Sequence, residues 1–108
     1  MNIVSCFPDY SNFTKVLKVE KQNAVKELKS LATRKSSEKV LVALTEENNT
    51  LIGGSADLAG SNNTKTKHQK ITKPGEFNSD YIHYGVREHA MSGIMNGLAL
   101  HSNFIPYG

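Results

Sequence analysis

The sequence has one cysteine, no tryptophan and only short apolar runs within its 108 residues. The single thiol, Cys6, cannot form an internal disulfide or a cysteine-based metal site, which excludes a disulfide-stabilised scaffold and fits a reducing compartment. Val40 to Leu44, one of the longest apolar runs, is far below the roughly 20 residues that a membrane span needs. The first residues also lack the basic start and apolar segment of a targeting signal. We therefore expect a cytoplasmic, soluble chain that makes no membrane contact.

The chain carries a small excess of positive charge. Its 13 Lys and Arg outnumber its 10 Asp and Glu, for a net charge of +3, and the stretch from Lys65 to Lys73 contains no acid. So small a surplus allows a nucleic-acid partner but does not demand one. Charge runs are usually solvated loops, and we expect no nucleic-acid partner. Leu, Ile, Val and Phe make up about a quarter of the residues, which is above the composition typical of disorder. The length fits one compact domain, or part of one.

The apolar pattern predicts alternating helices and strands. Lys21 to Arg34 has the three- and four-residue spacing of an amphipathic helix, preceded by an extended lead-in from Phe7 to Phe13. A second helix is predicted from Ser36 or Ser37 to about Glu47, with a strand over Val40 to Leu44 as the alternative. Further on we predict strands at 51–54 and 81–84, a long loop at 59–80, a helix at 87–100 and an extended segment from 104. This order indicates an α/β layer with parallel strands, whose ligands gather at the carboxyl ends of the strands.

Two motifs follow the predicted strands. In the first, Gly53 and Gly54 precede Asp57, and glycines allow a backbone to approach a ligand closely. The alternative is a strand-ending turn in which Asp57 is a turn residue or a helix cap. In the second, Glu88 lies in the first turn of an apolar helix after a strand. It is either a surface carboxylate stabilised by the helix start or a half-buried group that exchanges protons.

Taken together, these segments resemble transketolase, the thiamine diphosphate-dependent family that transfers two-carbon ketol units between sugar phosphates. The matching strings are LIGGSADLAGSN at 51–62, YIHYGVREHAM at 81–91, IMNGLALH at 94–101 and PYG at 106–108, with a weaker match at ATRKS, 32–36. The resemblance implies an α/β pyrimidine-binding domain with a parallel sheet flanked by helices. Residues 1–35 would be a linker-like lead-in with an amphipathic helix. Residues 36–108 would be the N-terminal part of that domain, cut short at its C-terminal side.

The resemblance also implies roles for single residues. Glu88 matches the catalytic glutamate, which shares a proton with the aminopyrimidine ring of thiamine diphosphate and so activates the cofactor. Asp57 and Leu58 match positions that contact the cofactor near the join of its two rings. Arg34 and Ser61 match residues that hold the sugar phosphate. His83 lies in the family's equivalent strand as a further substrate contact.

The family parts that bind the diphosphate and its Mg or Ca ion have no counterpart in this sequence, and no metal ligand is predicted here. We therefore expect the segment to be inactive alone and to need a homodimer or a complementary transketolase polypeptide, with sugar phosphates as substrates of the intact enzyme. The alternatives are one half of a split transketolase, the product of a decayed gene, or a small basic module. That module would bind an anionic partner through Lys65, Lys67, Lys70 and Lys73.

Overall fold

The computed structural model describes residues 10–101 and 103–108. Its elements are α1 (Ser11–Glu27), α2 (Thr33–Glu47), β1 (Leu51–Ser55), α3 (Ala59–Asn62), β2 (Tyr81–His83), α4 (Glu88–His101) and β3 (Ile105–Tyr107). The three strands form one parallel sheet in the order β2-β1-β3. The predicted fold class, a parallel α/β layer, is confirmed. In the part of the chain that the structure describes, no helix is long and apolar enough to cross a membrane.

The central strand β1 sets the register of the sheet. Ser55 lies opposite His83 on β2, and Leu51 lies opposite Ile105 on β3. Consecutive parallel strands need crossover connections, which residues 56–80 provide between β1 and β2 and α4 provides between β2 and β3. As a result, the segments that leave β1 and β2 start side by side at the carboxyl edge of the sheet.

The glycine pair lies inside β1, in agreement with the predicted strand at 51–54, and the strand extends one residue further, to Ser55. A Cβ on Gly53 would lie 2.6 Å from Cζ of Tyr107, and a Cβ on Gly54 would lie 2.1 Å from Cε2 of Tyr84. Tyrosine rings thus occupy the space that side chains would need on β1. Tyr81, fully buried, also approaches Gly53. The glycines therefore serve packing, and the strand continues through them to Ser55.

The helical hairpin before the sheet differs from the prediction. α1 begins at Ser11 and ends at Glu27, so the extended lead-in is wrong over residues 11–13, and its residues 7–9 lie outside the described range. The predicted helix over 21–34 is interrupted, because Leu28 adopts a left-handed conformation (φ 44°) and its N–H bonds to the Ala24 carbonyl at 3.2 Å. This bond completes a left-handed helix end. α2 then begins at Thr33 and continues past residue 36, which confirms its helix and excludes the alternative strand.

The long loop is built into the core by polar side chains. Thr66 and Gln69 are buried, and the Thr66 hydroxyl bonds to the Thr45 hydroxyl of α2 at 2.8 Å. Gln69 Nε2 donates to the Asp80 carbonyl at 3.1 Å, and the Tyr107 hydroxyl lies 2.9 Å from Gln69 Oε1. Burial raises the pKa of Tyr107 to about 12. The predicted loop at 59–80 is wrong over its first four residues, which form α3, whereas residues 63–80 are held against β2 and β3 by these contacts.

Candidate functional site at the carboxyl edge of the sheet

The carboxyl ends of β1 and β2 bring the two sequence motifs together. Ser55 and His83 are register partners, and the Tyr84 N–H donates to the Ser55 carbonyl at 3.0 Å, one step beyond β2. Asp57 and Leu58 follow one strand end, and Glu88 follows the other. The structure thus places these three predicted cofactor contacts on adjacent segments of one edge.

The segment after β1 is a tight turn held by Ser55. The Ser55 Oγ accepts a hydrogen bond from the Leu58 N–H at 3.0 Å, and the Leu58 carbonyl accepts one from the Ser61 N–H at 2.9 Å, which starts α3. Asp57 has φ 67°, a left-handed conformation that Asp tolerates better than most residues. Asp57 is therefore a turn residue. It is not a helix cap, because Leu58 occupies the N-cap position of α3. Both side chains are exposed.

Glu88 is the first residue of α4, which confirms the prediction that it lies in the first helical turn. A carboxylate there is stabilised by the unpaired N–H groups and the positive end of the helix. The half-buried position that the sequence allowed is wrong for this chain, because Glu88 is exposed among the described residues. Its carboxylate is thus accessible at the edge that carries Asp57 and Leu58.

The two predicted phosphate contacts lie on neighbouring elements. Arg34 is in the first turn of α2 and Ser61 is in α3, and both are exposed. Glu38 follows Arg34 by four residues, so the two side chains share a face of α2. Glu38 Oε2 accepts a hydrogen bond at 3.3 Å from Asn63 Nδ2, at the end of α3. This contact joins the face of α2 that carries Arg34 to the element that carries Ser61.

His83, the remaining predicted contact, ends β2. Its ring is exposed and meets the Tyr81 ring edge-on, with 5.4 Å between ring centres. Over the described ranges, no three His, Cys, Asp or Glu side chains are grouped so that they could hold a metal ion.

The edge carries exposed apolar side chains close to exposed carboxylates. Leu58 is 49% exposed and Val86 is 74% exposed, and each lies close in sequence to an exposed carboxylate, Asp57 and Glu88 respectively. Small-molecule sites in general combine apolar side chains with a few placed polar groups. This edge therefore presents both apolar and hydrogen-bonding side chains to solvent.

Sequence reasoning missed the residues that shape this edge. Ser55 holds the first turn, and the Tyr84 ring lies against Gly54. Arg87 closes the second turn through Nη1, which donates to the Tyr84 carbonyl at 2.9 Å. Arg87 and Tyr84 were inside a matching string, but only the three-dimensional contacts show what they touch.

The parallel sheet with its flanking helices places the chain in the α/β class, whose domains bind ligands at the carboxyl edge of the sheet. The sequence model described as the transketolase pyrimidine-binding domain matches residues 29–108. The chain belongs to the transketolase family, and the match lies in that domain.

Similar proteins agree with this assignment. The chain is 50% identical over 78 residues to a transketolase of Sinorhizobium medicae, and 50% identical over 82 residues to one of Cereibacter sphaeroides. These matches cover 72% and 76% of this chain but 11% and 12% of the relatives. Among solved structures, transketolase from Leishmania mexicana matches with a TM-score of 0.68 and 44% identity, over 71% of this chain and 12% of that chain. A Pichia stipitis transketolase in complex with sedoheptulose-7-phosphate matches with a TM-score of 0.69 and 48% identity. This match covers 74% of this chain and 13% of the Pichia stipitis chain.

The chain therefore spans about an eighth of the length of the transketolases that it matches. Transketolases generally use thiamine diphosphate, act on sugar phosphates and are typically dimers.

Proposed function

We propose that this segment, within an intact transketolase, takes part in the transfer of a two-carbon ketol unit between sugar phosphates. Glu88 is its acid–base residue. The observation that carries the proposal is the position of Glu88, the first residue of α4, on the edge that also carries Asp57 and Leu58. Thiamine diphosphate, when bound, supplies the carbon nucleophile and the electron sink that ketol transfer requires.

Glu88 holds and returns a proton at ring nitrogen N1′ of the aminopyrimidine. A carboxylate at this position can accept a hydrogen bond from a protonated ring nitrogen. The exposed side chain leaves the carboxylate accessible to a ligand at this edge. The adjacent apolar side chain, Val86, is 74% exposed and is available to cover one face of the ring.

Asp57 and Leu58 orient the cofactor from the other strand end. The Ser55 hydroxyl fixes the Leu58 N–H at 3.0 Å, so the turn presents its side chains from a defined backbone. Leu58 offers an apolar contact and Asp57 offers a hydrogen-bond acceptor near the join of the two rings.

Arg34 and Ser61 hold the sugar phosphate, with His83 as a further substrate contact. A guanidinium and a hydroxyl are well suited to a phosphate dianion. The Glu38–Asn63 hydrogen bond supports this role because it ties together the elements that carry the two residues.

The segment works as part of a larger assembly. Its described residues contain no set of side chains for a metal ion. The diphosphate and its Mg or Ca ion would then be held by other parts of a homodimer or by a complementary polypeptide, and the chain alone would be inactive. We place this assembly in the cytoplasm, a reducing compartment that suits the single cysteine.

The test uses a hybrid enzyme, the Sinorhizobium medicae transketolase in which residues 29–108 of this chain replace the matching segment. Ketol transfer by the hybrid is expected, and Glu88→Gln is expected to lower kcat by about 10²- to 10⁴-fold at saturating thiamine diphosphate. Glu76→Gln, at another exposed glutamate, is the control, and its kcat should stay within about twofold of that of the parental hybrid. A hybrid without activity, or a Glu88→Gln variant with near-parental kcat, would contradict the proposal.

A further inference from the structure

The turn that connects β2 to α4 is closed by three hydrogen bonds of one residue, Arg87. Its Nη1 donates to the Tyr84 carbonyl at 2.9 Å, and its backbone N–H donates to the Gly85 carbonyl at 2.7 Å. Its own carbonyl accepts from the Met91 N–H at 2.8 Å, which is the opening bond of α4. Arg87 thus lies directly before α4, one residue before Glu88, and its side chain donates a hydrogen bond to a carbonyl three residues earlier in the chain.

Tyr84 is a fixed point for this side chain. Its backbone N–H is bonded to the Ser55 carbonyl at 3.0 Å, and only 8% of the residue is exposed. Its ring fills the space above Gly54 on β1. The Arg87 guanidinium therefore links the first turn of α4 to a residue anchored on the central strand.

Two observations favour glycine at position 85. Its φ is 66°, a conformation that side chains disfavour. In addition, a Cβ on Gly85 would lie 2.6 Å from Arg87 Nη1. The glycine leaves room for the guanidinium to reach the Tyr84 carbonyl.

We infer that Arg87 is a positioning residue for Glu88. Its guanidinium, held on the Tyr84 carbonyl, fixes the direction in which α4 leaves the sheet edge and thereby the place of the carboxylate. Hydrogen bonds from a charged donor are stronger than neutral ones, and a displacement of about 1 Å can cost about 100-fold in rate. This inference rests on the role proposed for Glu88.

The test compares Arg87→Met, Arg87→Lys and Gly85→Ala in the hybrid enzyme, with Lys73→Met as the control for loss of an exposed cation. Arg87→Met is expected to lower kcat about 10- to 100-fold, while KM for the sugar phosphates changes less than about threefold. Arg87→Lys keeps a charged donor and should recover part of the loss. Amide hydrogen exchange should accelerate at residues 87–91 in Arg87→Met and Gly85→Ala. Calorimetry should find that the Kd of Arg87→Met for thiamine diphosphate lies within about threefold of the parental Kd.

Each result supports or overturns the inference. It is overturned by a kcat of Arg87→Met within about twofold of the parent. It is equally overturned if activity and thermal stability fall together in Arg87→Met and Arg87→Lys restores neither, because Arg87 would then serve folding alone. The Glu88→Gln variant separates the two proposals. If Glu88→Gln is inactive while Arg87→Met is normal, only the positioning role is wrong, whereas an active Glu88→Gln removes the role of Glu88 itself.

Discussion

Replacing Gly54 by alanine should destabilise the sheet, although it adds only one methyl group. The new Cβ would lie 2.1 Å from Cε2 of Tyr84, so the ring must retreat by more than about 1 Å to regain ordinary contact. The ring cannot turn aside freely, because Tyr84 is nearly buried and its N–H is bonded to Ser55. Overpacking of this kind costs about 1 to 3 kcal/mol, and we expect the upper end for Gly54→Ala.

The assay is urea unfolding of the full 108-residue chain, followed by circular dichroism. Gly93→Ala is the matched control, because a Cβ at this position in α4 meets nothing within 4 Å. In a helix, alanine is favoured over glycine by about 0.5 to 1 kcal/mol, so the same substitution should stabilise the chain there. The packing argument is refuted if Gly54→Ala unfolds at the same urea concentration as the parent or at a higher one.

Three further predictions concern two hydrogen-bonded hydroxyl groups and the residue proposed to hold the sugar phosphate. Tyr107→Phe should lower the unfolding free energy by about 1 kcal/mol at neutral pH, measured in urea. Burial raises the pKa of Tyr107 to about 12, so the unfolded chain loses this proton at a lower pH than the folded chain does. The unfolding free energy of the parent should therefore fall as the pH rises from about 10 toward 12. Tyr107→Phe should lose less unfolding free energy over the same pH range. Thr45→Val should lower the unfolding free energy by about 1 to 2 kcal/mol. A double-mutant cycle with Thr66→Val should show that the two substitutions are coupled through the 2.8 Å hydrogen bond between the hydroxyls. Additive losses of unfolding free energy would contradict this coupling. In the hybrid enzyme, Arg34→Met should raise KM for sugar phosphates at least about tenfold with a smaller change in kcat. An unchanged KM would contradict the phosphate role.

Elements with a clear local pattern could be predicted from the sequence. α4 is apolar and follows a glycine turn, and it was expected at 87–100 and lies at Glu88–His101. The alternating order of helices and strands predicted a parallel sheet. Because Asp57 and Glu88 both follow strands, the sequence also predicted that they lie at the carboxyl edge of this sheet. These features depend on short stretches of chain or on general rules of topology.

Features that depend on distant contacts could not be predicted. Gly53 and Gly54 were interpreted as the end of a strand where a backbone could approach a ligand, but they are needed because Tyr84 and Tyr107, about 30 and 50 residues away, pack on β1. The end of α1 at Leu28 has no glycine to mark it, and the helical spacing continues past it. A left-handed leucine is stabilised there by a single backbone bond, which leaves no trace in the apolar pattern.

The candidate site itself came mainly from motif resemblance. Residue types alone left Glu88 open between a surface group and a proton carrier, and the contact that joins the elements of Arg34 and Ser61 spans 25 residues. The turn geometry around Arg87 depends on a side chain that bonds backward to Tyr84. No spacing rule encodes that contact.

The most direct test of the account is the kcat of the Glu88→Gln hybrid enzyme at saturating thiamine diphosphate, measured beside Glu76→Gln. The account predicts a loss of about 10²- to 10⁴-fold for Glu88→Gln and parental turnover for Glu76→Gln. Equal turnover in the two variants would contradict the assignment of Glu88 as the acid–base residue of this segment.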